Sequence, residues 1–139
     1  MIGLRQRYDY DCGVAALRYR LTMLGCSLHA YERDLQWTTP DGGTSHEGMI
    51  TLARSYEVCF VMTTLPITYV PLFSIVNYEW DRDGHYGVLV GRVDKPNSEI
   101  VAIWNPATGR VDEYTAYAFE KRRNPKLYPP KDWLLSLYV

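Results

Sequence analysis

The chain contains three cysteines and three histidines, the residue types that can supply a nucleophile and its base near neutral pH. Cys12 stands out among them. It precedes Val14, Leu17, Leu21 and Leu24, which recur at helical spacing and are closed by Gly25. The spacing predicts a helix over 13 to 24, with Asp11 or Cys12 at its N-terminus. A thiol attacks as its thiolate, and the free amides and dipole at a helix start favour that anion. Gly13 is read as backbone room for an approaching substrate. A lone cysteine before an apolar helix is more often a small buried apolar residue, so Cys12 needs partners.

Gln6 is the first partner, six positions upstream. Acyl transfer needs donors aimed at the oxyanion that forms on the attacked carbonyl. The Gln6 amide and the Cys12 backbone N–H make such a pair. Of the histidines, His29 and His46 read as exposed polar residues on or before helices. His85 follows Asp81-Arg82-Asp83-Gly84 and opens a strand, where a side chain is held rigidly yet faces a cleft. The turn sequence Asp94-Lys95-Pro96-Asn97-Ser98 joins two apolar runs. A hairpin centred on Lys95-Pro96 puts His85 opposite Pro106, next to Asn105. An Asn105 amide oxygen accepting the imidazole N–H would fix the ring's tautomer. The catalytic set is therefore Cys12, His85, Asn105 and Gln6. Gly43, Trp80 and Tyr86 flank these motifs and are assigned to a substrate groove.

The positioning elements follow from pattern. A short helix is expected over 31 to 36 and a loop over 38 to 43. Thr44 and Glu47 match a capping box that starts a helix over 45 to 56. Strands are expected over 58 to 62, 71 to 77, 85 to 93, 99 to 105 and 111 to 114. A helix over 115 to 122 and a closing strand over 133 to 138 complete the chain. Helices first and an antiparallel sheet second make the fold class α+β.

A length of 139 residues suits one domain, 1–139, and 47% hydrophobic residues can fill its core. The net charge of -1 and the absence of a basic stripe argue against nucleic acid. Lys121-Arg122-Arg123 reads as the solvated end of a helix. No apolar run reaches the roughly 18 residues of a membrane span, and Met1 to Arg5 carry no signal-peptide pattern. A cytoplasmic location is expected. Unpaired cysteine spacings fit a reducing compartment. Cys26 and His29 have a Cys-x-x-His spacing, but no second pair completes a metal site. Cys26 and Cys59 read as packed core thiols, and no cofactor is called for.

Gln6, Asp11-Cys12-Gly13, His85-Tyr86-Gly87-Val88-Leu89-Val90-Gly91 and Asn105-Pro106-Ala107-Thr108-Gly109 together resemble the motifs of the double-glycine, bacteriocin-processing cysteine peptidases of the papain-like clan. Asp41-Gly42-Gly43-Thr44-Ser45-His46-Glu47-Gly48 is similar to the turn before that family's later helix. The resemblance implies a papain-like fold, a peptide or protein substrate and a glycine-rich leader. It also implies a Cys12–His85 ion pair, with a transporter or substrate-encoding neighbour as possible partner. Asn105 stands where the family usually has aspartate. That removes a negative charge beside His85 and weakens the ion pair. The same site also suits acyl transfer or deamidation, and a non-catalytic peptide-binding module would keep the fold.

Overall fold

In the computed structural model, residues 5–81, 83–96, 98–123 and 133–138 are described. Val14, Leu17 and Leu21 form the buried face of α1 (Cys12–Met23). The helix α2 (Tyr31–Asp34) is one turn long and passes into a 3-10 turn at Leu35–Trp37. The loop expected over 38 to 43 is instead a small antiparallel ladder, β1 (Thr38–Thr39) with β2 (Gly43–Thr44). Thr44 spends its hydroxyl on Thr38, 2.7 Å away, so it does not cap the next helix. Ser45 does, accepting from the Gly48 N–H at 3.0 Å, and α3 (His46–Ser55) starts there.

The rest is largely one sheet. Its strands are β3 (Cys59–Thr64), β4 (Ile75–Trp80), β5 (Asp83–Lys95), β6 (Ser98–Asn105), β7 (Arg110–Thr115) and β8 (Trp133–Tyr138). They run antiparallel in the order β3-β8-β4-β5-β6-β7, so the last strand lies between β3 and β4. β4 starts later than the expected 71, because Pro71 has no N–H for the ladder and Phe73 turns the chain at φ 71. The helix α4 (Ala116–Arg122) follows β7 and is capped by the Thr115 hydroxyl. Lys121 and Arg122 are exposed as expected. Arg123 is fully buried, bound to the Leu65 carbonyl and Glu120, which corrects its reading as a solvated residue. Among the described residues no helix is long and apolar enough to cross a membrane.

The sheet separates two apolar layers. Ile75, Tyr86, Val88 and Trp104 pack against α1 and α3. Val76, Tyr78, Leu89 and Ile103 pack with Phe119 of α4. Period-2 alternation puts His85 and Gly87 on the Leu89 face, opposite Tyr86 and Val88. At Gly87 an added Cβ would meet Ile103 Cγ2 at 2.8 Å and the Trp104 carbonyl at 3.0 Å. Gly87→Ala is therefore expected to push β5 off β6 two residues from His85. A stability loss of about 1–3 kcal/mol is predicted, read as a lower urea midpoint.

Candidate active site

The site begins at the start of α1. Asp11 is fully buried, and its carboxylate accepts from the Arg7 N–H (3.0 Å), the Tyr8 N–H (2.9 Å) and the Tyr31 hydroxyl (2.5 Å). Those bonds fold the incoming segment against the helix. They also leave Asp11 without a capping bond to α1, so its side chain satisfies none of the first-turn amides beside Cys12. Cys12 is partly buried, and burial pushes its thiol up to about 11. The backbone amides of Tyr86, Gly13 and Cys12 pull the other way, while Asp11 adds to the rise. Gly13 has a different job from the one its sequence suggested. A Cβ there would meet Met49 Sδ at 2.8 Å, Tyr86 Cδ2 at 3.1 Å and Thr44 Cβ at 3.2 Å. The missing side chain lets α1 pack on α3 and β5; it does not make room for a substrate.

His85 lies two residues inside β5, paired with Tyr78 of β4, not at the strand's first residue. Its Nε2 stands 2.8 Å from Asn105 Oδ1. The hairpin that brings them together turns one residue later than expected: Lys95 pairs with Ser98 and Val88 with Trp104, with an irregularity between Leu89 and Gly91. Asn105 is fully buried, and its Oδ1 also accepts from the Ala107 N–H at 2.9 Å. Nε2 is thereby engaged and Nδ1 is left for proton exchange. Burial lowers the His85 pKa, opposed by the Asn105 bond and the charge of Asp112.

A raised thiol and a lowered imidazole favour a neutral pair over the expected ion pair. A lowered imidazole pKa keeps the neutral base at lower pH. The acid limb of kcat/KM is predicted below the ordinary histidine value of about 6.5. A pH–rate profile checks this, and a limb above that value would instead mark a resting ion pair.

Gln6, Cys12, Gly43, Trp80, His85 and Ala107 line one cleft. The Gln6 backbone N–H donates to the Pro106 carbonyl at 2.9 Å, tying the N-terminal segment to the turn after Asn105. Its side-chain Nε2 donates to the Tyr8 carbonyl at 2.6 Å. Trp80 lies against the His85 ring, centroids 4.9 Å apart. Tyr86 is not part of the groove. Strand alternation turns its ring into the core, and its hydroxyl meets His46 Nδ1 at 3.0 Å. Only its backbone amide serves the site, beside the Cys12 sulfur. His46 and His29 are half-buried rather than exposed: burial lowers the His46 pKa to about 4, and His29 stacks on Tyr56. Cys26 packs on the core, whereas Cys59 is exposed, against expectation.

Two residues escaped the sequence reading. Asp11 gave a signal only as a neighbour of Cys12. Asp112 accepts from Asn105 Nδ2 at 3.0 Å. Its signal lay in the β6–β7 hairpin, where Asn105 pairs with Arg110 and Asp112 is the diagonal same-face neighbour.

Two solved structures share this architecture. One is the peptidase domain of Streptococcus ComA, a bi-functional ABC transporter involved in a quorum sensing pathway. It has 18% identity and TM-score 0.72, covering 96% of this chain and 94% of that one. The other is a double glycine motif protease from an AMS/PCAT transporter, in complex with the leader peptide. It has 17% identity and TM-score 0.73, covering 96% and 87%. At such identities the likeness is one of fold, α+β and papain-like. No curated protein matches the sequence. The profile of the Peptidase C39 family, however, matches residues 3–122, nearly the whole of the chain that carries the cleft. This chain belongs to the Peptidase C39 family and is a cysteine peptidase.

Proposed function

We propose that the chain hydrolyses a peptide bond through a Cys12 thioester, after a glycine-rich leader motif. The observation that carries this is the His85 Nε2 to Asn105 Oδ1 contact of 2.8 Å beside a cleft that Cys12 and His85 both line. His85 Nδ1 takes the thiol proton as sulfur attacks the carbonyl carbon. The oxyanion is held by the Cys12 backbone N–H and by Gln6, whose Nε2 must turn from the Tyr8 carbonyl to reach it. The imidazolium protonates the leaving amine. Water, deprotonated by His85, then hydrolyses the thioester and restores the thiol.

Gly84 and Ala107 on the cleft wall carry little or no side chain and leave room for a substrate backbone to lie close, which supports this reading. The AMS/PCAT protease is itself a double glycine motif enzyme with a bound leader peptide. The test is mass spectrometry of peptides with and without a Gly-Gly motif after incubation with the chain. Cleavage after Gly-Gly supports the reading. A cross-linked product or a hydrolysed side-chain amide would assign transfer or deamidation, and no reaction at all would favour a binding module.

A further inference from the structure

Asn105 presents two ends of similar shape and opposite hydrogen-bonding character. Its oxygen end accepts from the Ala107 N–H at 2.9 Å and lies 2.8 Å from His85 Nε2, which bonds it only when that nitrogen carries the proton. Its nitrogen end faces Asp112 Oδ2 at 3.0 Å. A carboxylate can only accept. Turning the amide over would set its oxygen against that carboxylate and its NH2 against the Ala107 N–H. The backbone amide and the carboxylate thus select the same orientation from opposite sides.

We infer that Asp112 is a positioning residue for His85: by holding Asn105 Nδ2 it fixes the face of the amide, and so which imidazole nitrogen carries the proton. The inference rests on the catalytic roles proposed for Cys12, His85 and Asn105. With Nε2 protonated toward Asn105, Nδ1 keeps its lone pair for the thiol. Asp112 also restores, one residue further out, the negative charge that Asn105 lacks, and this charge favours the imidazolium formed during attack. The carboxylate is well placed to do so. It sits on β7, where its residue pairs with Ile103 of β6, so the sheet ladder holds it in register with Asn105. The groups around it are few. Tyr78 and Trp80 of β4 pack on His85, Tyr114 of β7 packs on Tyr78, and Arg122 of α4 covers the Tyr114 ring at 4.9 Å. Among the described residues Arg122 forms no ion pair with Asp112; its Nη1 donates to the Glu79 carbonyl. The Tyr78 hydroxyl is buried and unbonded among the described residues, so it does not compete for the carboxylate.

The experiment combines kinetics with long-range 1H–15N NMR of the His85 ring. The wild-type chain should show one tautomer, protonated at Nε2. Asp112→Ala should show a mixture, with kcat down about 10–100-fold and KM within about twofold. Asp112→Asn keeps an acceptor but removes the charge, so its acid limb should move to lower pH. It also serves if the alanine variant does not fold. In the double variant Asn105→Asp/Asp112→Asn the charge moves inward, and activity should exceed that of Asn105→Asp alone, in which two carboxylates face each other. A single Nε2 tautomer retained in Asp112→Ala, or an unchanged kcat, overturns the inference. If the wild-type chain cuts no peptide, the peptidase proposal fails separately, and the tautomer measurement decides this one.

Discussion

Cys12→Ala is expected to lower kcat/KM for peptide cleavage by about 10⁴-fold or more, with the fold intact. The residue begins α1 with only part of its surface exposed, and alanine fits that space without crowding a neighbour. No other group can take over. His29 and His46 lie elsewhere, engaged by Tyr56 and Tyr86, and neither lines the cleft. Cys26 and Cys59 do not line it either. His85→Ala should cost about 10²–10⁴-fold, the usual share of proton transfer in such a step. Circular dichroism of each variant must match the wild type for the comparison to count. Cleavage by Cys12→Ala at a rate near wild type would remove Cys12 as the nucleophile, whatever the family.

Arg18→Ala is expected to produce the largest loss of stability. Arg18 leaves α1 and reaches Asp34 Oδ2 at 2.6 Å, with the carboxylate fully buried. The same oxygen accepts from the Tyr56 hydroxyl at 2.5 Å, and Arg18 also donates to the His29 carbonyl at 2.8 Å. One guanidinium therefore ties α1 to the segment before α2 and, through Asp34, to the residue after α3. Taking it away leaves a buried carboxylate without its counter-charge, and such losses cost about 3–5 kcal/mol. For a chain of this size the melting temperature should drop by roughly 10–15 °C. Asp34→Asn is the control. It removes the charge but keeps hydrogen-bonding atoms, so it should cost clearly less. No loss at all in Asp34→Asn would show that packing of the Arg18 stem, rather than the ion pair, supports this corner.

The candidate site was legible because it depends on residue types at short spacing. Gln6, Asp11-Cys12-Gly13 and Asn105-Pro106 are local patterns, and the apolar period after Cys12 fixes a helix start by itself. Hairpin arithmetic placed Asn105 beside His85 even though the turn lies a residue later than expected, since one register step leaves long side chains within reach. Side-chain facing was harder. Tyr86 adjoins His85 in sequence, yet alternation sends it to the opposite side of β5. Gly13 looked like room for a substrate because the sequence does not show that Met49 and Tyr86 close in on it.

What the sequence by itself determined was the α+β order, the start of α1 under Cys12, and the pairing of β5 with β6 that joins His85 to Asn105. Each is set by local periodicity, turn chemistry or capping. Only the tertiary structure decided the rest. It inserted β8 between β3 and β4, because strand order depends on contacts remote in sequence. It showed burial around Cys12 and His85 that favours a neutral pair, because desolvation depends on everything packed nearby. And it set Asp112 behind Asn105, supplying from a third strand the charge that the sequence seemed to have lost.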